Sequence, residues 1–272
     1  MDADFYLLPT RLTELDEGQI RLLEGLDEEP EAICRVAQGL LVDIAAASGV
    51  PAARQEERNI RRADDILRTA LDLGGEALEQ PRALDRRVVG TCRHFAVLSC
   101  ALLRAKGIAA RARCGFATYF RPGLHVDHWV TEYWAPADRR WVRVDSEIIG
   151  MDFGLVPRAN DLATGEFLSG GEAWRLYRAG ARDPMTFGVD GTDHAWGPAE
   201  IIGNAIRDLA ALNKVEMLPW DEWGPMDECY RREIRPDVER LIDAIADACA
   251  SDDAVLIAEL YDQVRVPDEM IA

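Results

Sequence analysis

Gly90-Thr91-Cys92-Arg93-His94-Phe95-Ala96 marks the point where a loop turns into an apolar helix. From Cys92 to Ala105 nearly every position except Arg93, His94, Ser99 and Arg104 is apolar or small. A helix apolar almost all round belongs in the middle of a domain, and Gly107 is a natural residue to end it. The thiol at the first helical position is set apart by electrostatics. The helix macrodipole favours the thiolate there, and a nearby imidazolium lowers the thiol pKa further.

Downstream of Gly107 the periodicity changes from helical to alternating. Ala110, Ala112, Cys114 and Phe116 share one face of a strand, while Arg111 and Arg113 take the other. His128 to Trp134 and Arg139 to Ser146 read as two more strands, joined by the turn-like Ala135-Pro136-Ala137-Asp138. If Trp134 pairs with Arg139, antiparallel counting sets Glu132 opposite Trp141 and His128 opposite Asp145. Directly opposed side chains have Cβ atoms about 4.5–5.5 Å apart, close enough for a carboxylate to hold an imidazole. A slip of one residue would move them to opposite faces.

Cys92, His128 and Asp145 thus supply a nucleophile, its base and the orienter of that base. The other histidines serve less well. His94 follows Cys92 by two residues and projects about 200° away around the helix. His125 follows the Pro122-Gly123-Leu124 loop without a fixed partner, and no strand bearing an aspartate follows His194-Ala195-Trp196. Asp145 has a plainer alternative, the neutralisation of Arg143 or Arg111, and Glu147 is the fallback orienter. Cys34, Cys100 and Cys114 read as buried structural thiols.

These residues resemble a transglutaminase-like core, a papain-related fold. The likeness lies in Gly90-Thr91-Cys92 with Ala96 and Leu98, in Ala101-Leu102-Leu103-Arg104-Ala105-Lys106-Gly107-Ile108-Ala109-Ala110-Arg111, in Asp127-His128-Trp129-Val130-Thr131-Glu132 and in Trp141-Val142-Arg143-Val144-Asp145. It runs over roughly residues 85 to 147. It implies an α+β fold in which a buried nucleophile helix packs on a small antiparallel sheet, wrapped by N- and C-terminal helices. It also implies Cys92 as nucleophile, His128 as general base and Asp145 as its orienter. Superfamily members form a thioester with an amide or other acyl donor and pass the acyl group to an amine or to water. A peptide, protein or small-molecule acyl donor and an amine acceptor are therefore the expected partners, and no cofactor is expected. Thr91, Trp129 and Trp223 are candidates for lining the substrate site, although tryptophans at such positions most often pack in the core.

Beyond the core, Leu12 to Leu26, Glu31 to Ala47 and Arg58 to Asp72 read as helices, and residues 74–87 as a polar connector. Gly171 to Ala179, Pro198 to Leu212, Asp237 to Ala250 and Asp253 to Val264 read as helices after an irregular stretch beyond Gly150. The expected organisation is a single domain over 1–272, with a helical segment 1–84, a catalytic core 85–150 and a mainly helical segment 151–272. Two other readings compete with catalysis: a binding or scaffolding module that retains the fold, and an amide-forming tailoring enzyme in small-molecule biosynthesis.

The bulk composition excludes several classes. The chain has 272 residues and is 48% hydrophobic, which fits a folded protein with a substantial core. A formal net charge of −18 opposes nucleic acid and anionic membranes. No pair of histidines or cysteines has HxxxH or CxxC spacing, so no metal site is expected. The six scattered cysteines and a start without a basic leader point to reduced thiols in the cytoplasm.

Overall fold

The computed structural model describes residues 3–75, 77–151, 158–231 and 233–271. The chain divides into two compact units. The amino-terminal unit comprises Asp2–Ala112 and Val130–Leu162, and the carboxy-terminal unit comprises Arg113–Trp129 and Ala163–Ala272.

The amino-terminal unit is built around the helix that opens at Cys92. Its elements in chain order are α1 (Glu17–Leu22), α2 (Pro30–Leu40), β1 (Leu41–Asp43), α3 (Ala63–Gly74), β2 (Val88–Gly90) and α4 (Cys92–Ala105). The strands β3 (Ala110–Ala117) and β4 (His125–Ala135) begin and end, respectively, in this unit, and β5 (Arg140–Val144) lies wholly within it. Every residue of α4 from Cys92 to Arg104 is buried, as its uninterrupted apolar run requires. It packs against α2 and α3, whose apolar faces carry Ile33, Val36, Ala37 and Leu40, and Ile66, Leu67 and Ala70. Gly107 has φ +76°, the left-handed conformation expected past a helix end.

The flanking helices are shorter than the sequence suggests. Of the stretch from Leu12 to Leu26 only Glu17–Leu22 is α-helical, started by an Asp16–Gln19 capping box. The stretch from Glu31 to Ala47 is not one helix. At Leu41 the backbone turns extended and Leu41–Asp43 pairs in parallel with Val88–Gly90. The periodicity of Ile33, Val36, Leu40, Leu41 and Ile44 cannot separate a continuing helix from a buried strand. The third helix starts at Ala63 instead of Arg58, because residues 52–59 form a 3-10 turn.

The hairpin register also differs from the expected one. Trp134 pairs with Trp141 and Glu132 with Arg143, a slip of two residues from the Trp134–Arg139 pairing. The strands continue one step further, to Ala135 opposite Arg140, and Arg139 closes the turn with φ +52°. An even slip keeps every side chain on its expected face. Cross-strand chemistry favours the observed register: Arg143 Nε donates to Glu132 Oε1 at 2.7 Å, and the Trp134 and Trp141 rings meet edge to face at 5.5 Å.

The carboxy-terminal unit contains the remaining parts of β3 and β4, followed by β6 (Phe167–Ser169), α5 (Gly170–Arg178), β7 (Phe187–Gly188) and α6 (Pro198–Leu212). It ends with α7 (Met226–Arg231), α8 (Pro236–Ser251), α9 (Ala254–Gln263) and α10 (Asp268–Ile271). In it β6 pairs antiparallel with β3, and β7 parallel with β4. Helix α5 packs on α6 and α8. Glycines allow the close approach: a Cβ on Gly170 would collide with the backbone of Asn204 and Ala205, and one on Gly171 would lie 3.1 Å from Ala246 Cα. The irregular stretch expected after Gly150 lies partly outside the described residues, at 152–157. The fold is of the α+β class.

Candidate active site

Cys92 is the first residue of α4 and is 9% exposed. The preceding Thr91 is the N-cap, with extended backbone angles. The start of the helix is held by His94, whose Nδ1 accepts the Thr91 backbone N–H at 3.1 Å and lies 3.1 Å from Thr91 Oγ1. That contact leaves His94 buried, and burial, assisted by the neighbouring Arg93 charge, depresses its pKa to about 3. A ring that stays neutral and accepts a backbone N–H is a structural part of the turn. Gly90 makes room for it, since a Cβ there would lie 2.8 Å from His94 Cβ.

Asp145 follows β5 and is wholly buried. Its Oδ1 accepts the Glu147 N–H at 3.0 Å, and its backbone bonds to Ala159 and Ile149. On the observed register one further step sets Asp145 level with Val130, so the count that placed it opposite His128 fails. The two arginines that the plain alternative gave to Asp145, Arg111 and Arg143, both meet another acid. Glu132 takes Arg111 Nε and Arg143 Nε, each at 2.7 Å. Glu147 is closer to the chemistry than the sequence indicates: one of its carboxylate oxygens lies within 4.8 Å of Cys92 Sγ. Within the same unit, Thr131 joins the sheet to the nucleophile helix. It pairs with Val144, its Oγ1 donates to the Ala96 carbonyl at 3.4 Å, and it lies 3.2 Å from Ser146 Oγ.

His128 belongs to the carboxy-terminal unit, on the amino-terminal part of β4. It is 2% exposed, with the Phe120 ring edge-on at 5.0 Å and Tyr119 at 6.3 Å. These rings come from the loop between β3 and β4, and nothing in the spacing of the sequence pointed to them. The competing histidines have other work. His125 stacks on Phe187 at 4.0 Å beside Thr186, and His194 is exposed.

The candidate lining residues are all buried. Thr91 is the helix cap, Trp129 is 1% exposed, and Trp223 donates its indole N–H to the Val264 carbonyl at 2.7 Å. By residue type, Cys92, His128 and Glu147 are also groups that ligate metals. None of the six cysteines forms a disulfide. Burial raises the thiol pKa of Cys34 to about 11 and that of Cys114 well above the usual value. No helix among the described residues is long and apolar enough to cross a membrane.

Residues 74–146 match the model of the transglutaminase-like superfamily. No curated protein matches the chain. Among solved structures, a candidate cysteine protease from Cytophaga hutchinsonii aligns with 20% identity over 60% of this chain and 46% of its own, at a TM-score of 0.37. The chain thus spans less than half of that protein.

Proposed function

We propose, from the match of residues 74–146 to the transglutaminase-like superfamily, that this chain is a cysteine enzyme of acyl transfer or amide hydrolysis. Cys92 attacks the carbonyl carbon of a carboxamide or peptide, and its proton passes to His128. Asp145 fixes the tautomer of His128 and steadies the imidazolium. As the C–N bond breaks, His128 returns the proton to the departing amine, leaving a thioester on Cys92. Water or a second amine then attacks the thioester. The backbone N–H of Cys92, at the start of α4, where N–H groups have no i−4 carbonyl, is the natural donor to the oxyanion. Loss of one such donor typically costs about 10² to 10³ in rate.

The observation that carries this reading is the position of Cys92: the opening residue of a buried helix, capped from the side by a neutral histidine, in the segment that matches the family. A purely structural cysteine has no need of a helix N-terminus. The proximity of Glu147 to Cys92 Sγ gives that residue a role in the same chemistry, in tuning the thiol or in receiving the acceptor's proton. The test is to trap the acyl-enzyme with an activated amide or ester donor and weigh the intact protein. An adduct on Cys92 that Cys92→Ala abolishes and His128→Ala slows supports the reading. An adduct on another cysteine, or unchanged trapping in His128→Ala, overturns it.

A further inference from the structure

The carboxy-terminal unit holds a cavity of about 480 Å³ whose lining includes Asp127, Glu200, Arg207, Trp220, Glu222 and Tyr230. Asp127 adjoins His128 on β4, but alternation sends the two side chains to opposite faces of the strand. The cavity therefore lies on the face of β4 that His128 does not use.

The wall of the cavity is an ordered polar network. Tyr230 donates its hydroxyl to Glu200 Oε2 at 2.5 Å, and Glu200 Oε1 is 3.5 Å from Arg207. Arg207 also donates to Asn204 Oδ1 at 3.2 Å, and Asn204 in turn donates to Asp127 Oδ1 at 2.7 Å. Gly203 makes room for the Arg207 and Tyr230 side chains, since a Cβ there would lie 2.8 Å from an Arg207 nitrogen and 3.2 Å from the Tyr230 oxygen.

The charges of this network do not balance. One buried guanidinium serves two carboxylates, and Glu222 adds a third at the mouth. Asp227 and Arg231, also on the rim, neutralise each other at 2.8 Å. Burial drives the Glu200 carboxyl up to about 7, with Asp127 and Glu222 adding to the rise while Arg207 and the Tyr230 hydroxyl oppose it. Burial also raises Asp127. Arg207 is 2% exposed, yet its Nε–H has no hydrogen-bond partner among the described residues. The site thus carries more carboxylates than cations, and of the guanidinium, which also donates to the Asp221 carbonyl at 3.3 Å, the Nε–H is left without an acceptor among the described residues, beside the half-exposed face of Trp220.

We propose that this cavity binds an α-amino amide, with the ligand ammonium against Asp127 and Glu200 and the adjacent carbonyl oxygen on Arg207 Nε. An amide fits better than a free amino acid, whose carboxylate would add charge to a wall that already carries an excess of acid. Trp220 covers the ammonium from the solvent side, as an aromatic face does for a cation. The site is distinct from Cys92 and does not depend on its reactivity.

The test uses the full chain carrying Cys92→Ala, so that turnover plays no part, and titrates it calorimetrically with glycinamide, ethylamine and glycine. Glycinamide is expected to bind at least about ten-fold more tightly than either of the others. Its binding should release protons and tighten about five-fold from about pH 6 to about pH 7, because a cation favours ionised Glu200 while the ligand's own amine, with a pKa of about 8, stays mostly protonated. Glu200→Gln should weaken binding about ten-fold and abolish the proton release. The exposed Trp220→Ala, which leaves the buried network intact, should weaken it several-fold. The proposal is overturned by absence of saturable glycinamide binding, by ethylamine or glycine binding equally well, or by Trp220→Ala and a folded Glu200→Gln both matching the parent.

Discussion

His94 Nδ1 accepts the backbone N–H of Thr91 at 3.1 Å, and this single bond joins the third residue of α4 to the cap that precedes Cys92. The contact requires an unprotonated nitrogen. The buried ring meets that need, because burial holds its pKa near 3, well below the ordinary 6.5. The nucleophile helix is thereby anchored by a histidine that takes no part in proton transfer.

The same depression makes stability depend on pH. A base whose folded pKa is lowered contributes stability above its unfolded pKa and loses it as pH falls. Between pH 6.5 and about 3 the unfolded chain binds a proton that the folded one refuses. Each pH unit in this window costs up to about 1.4 kcal/mol from this group. Urea unfolding of the parent and of His94→Gln, whose side-chain oxygen can still accept the Thr91 N–H, should show a shallower pH slope for the variant. Equal slopes would mean that His94 is not the group responsible.

Iodoacetamide should label Cys92 first at mildly acidic pH. Cys34 and Cys114 are buried, with thiol pKa values raised by that burial, and should stay unmodified in the folded chain. Peptide mapping after brief exposure distinguishes the sites. Labelling of Cys34 or Cys114 at the rate of Cys92 would remove the case for an activated thiol.

Glu132 is 2% exposed and receives Arg111 and Arg143 together, while the Arg111 guanidinium also lies 4.1 Å from the centre of the Trp141 ring. Glu132→Ala leaves a buried guanidinium without its acid and should cost about 3–5 kcal/mol. Chemical denaturation measures the loss. A change within 1 kcal/mol, roughly the value of an exposed pair, would show that water reaches these arginines freely.

Gly90→Ala tests the turn itself. The new methyl would meet His94 Cβ at 2.8 Å, and relief requires a shift of the segment that carries Thr91 and Cys92. A displacement of this order at a reacting group can cost up to about 100-fold in rate. The acyl-enzyme formation rate should fall about 10- to 100-fold. A rate equal to the parent in Gly90→Ala would show that the turn adapts without moving the thiol.

The boundaries of α4 were legible in the residues because its apolar run ends near a glycine and begins after a cap residue, and those of α6 because Pro198 opens a long run that is largely apolar up to Leu212. Shorter elements were not. Leu41–Asp43 and Val88–Gly90 form a strand pair only by meeting each other, and a run of three residues carries no period to read. For the candidate site, the residue types and their order stood in the sequence, while the caps and neighbours that qualify them did not.

The sequence by itself determined the strand faces, because alternation along β3, β4 and β5 is a local property of the pleat. It also determined which cysteine opens a helix, because caps and apolar runs are local too. Only the tertiary structure decided the β4–β5 register, since slips of two residues keep the same faces, and the choice fell to the Glu132–Arg143 and Trp134–Trp141 contacts. It likewise decided that Glu132 receives both Arg111 and Arg143, and that a carboxylate oxygen of Glu147 lies near Cys92 Sγ. Such partnerships depend on which side chains meet across the sheet and at its ends, and spacing along one strand does not encode them.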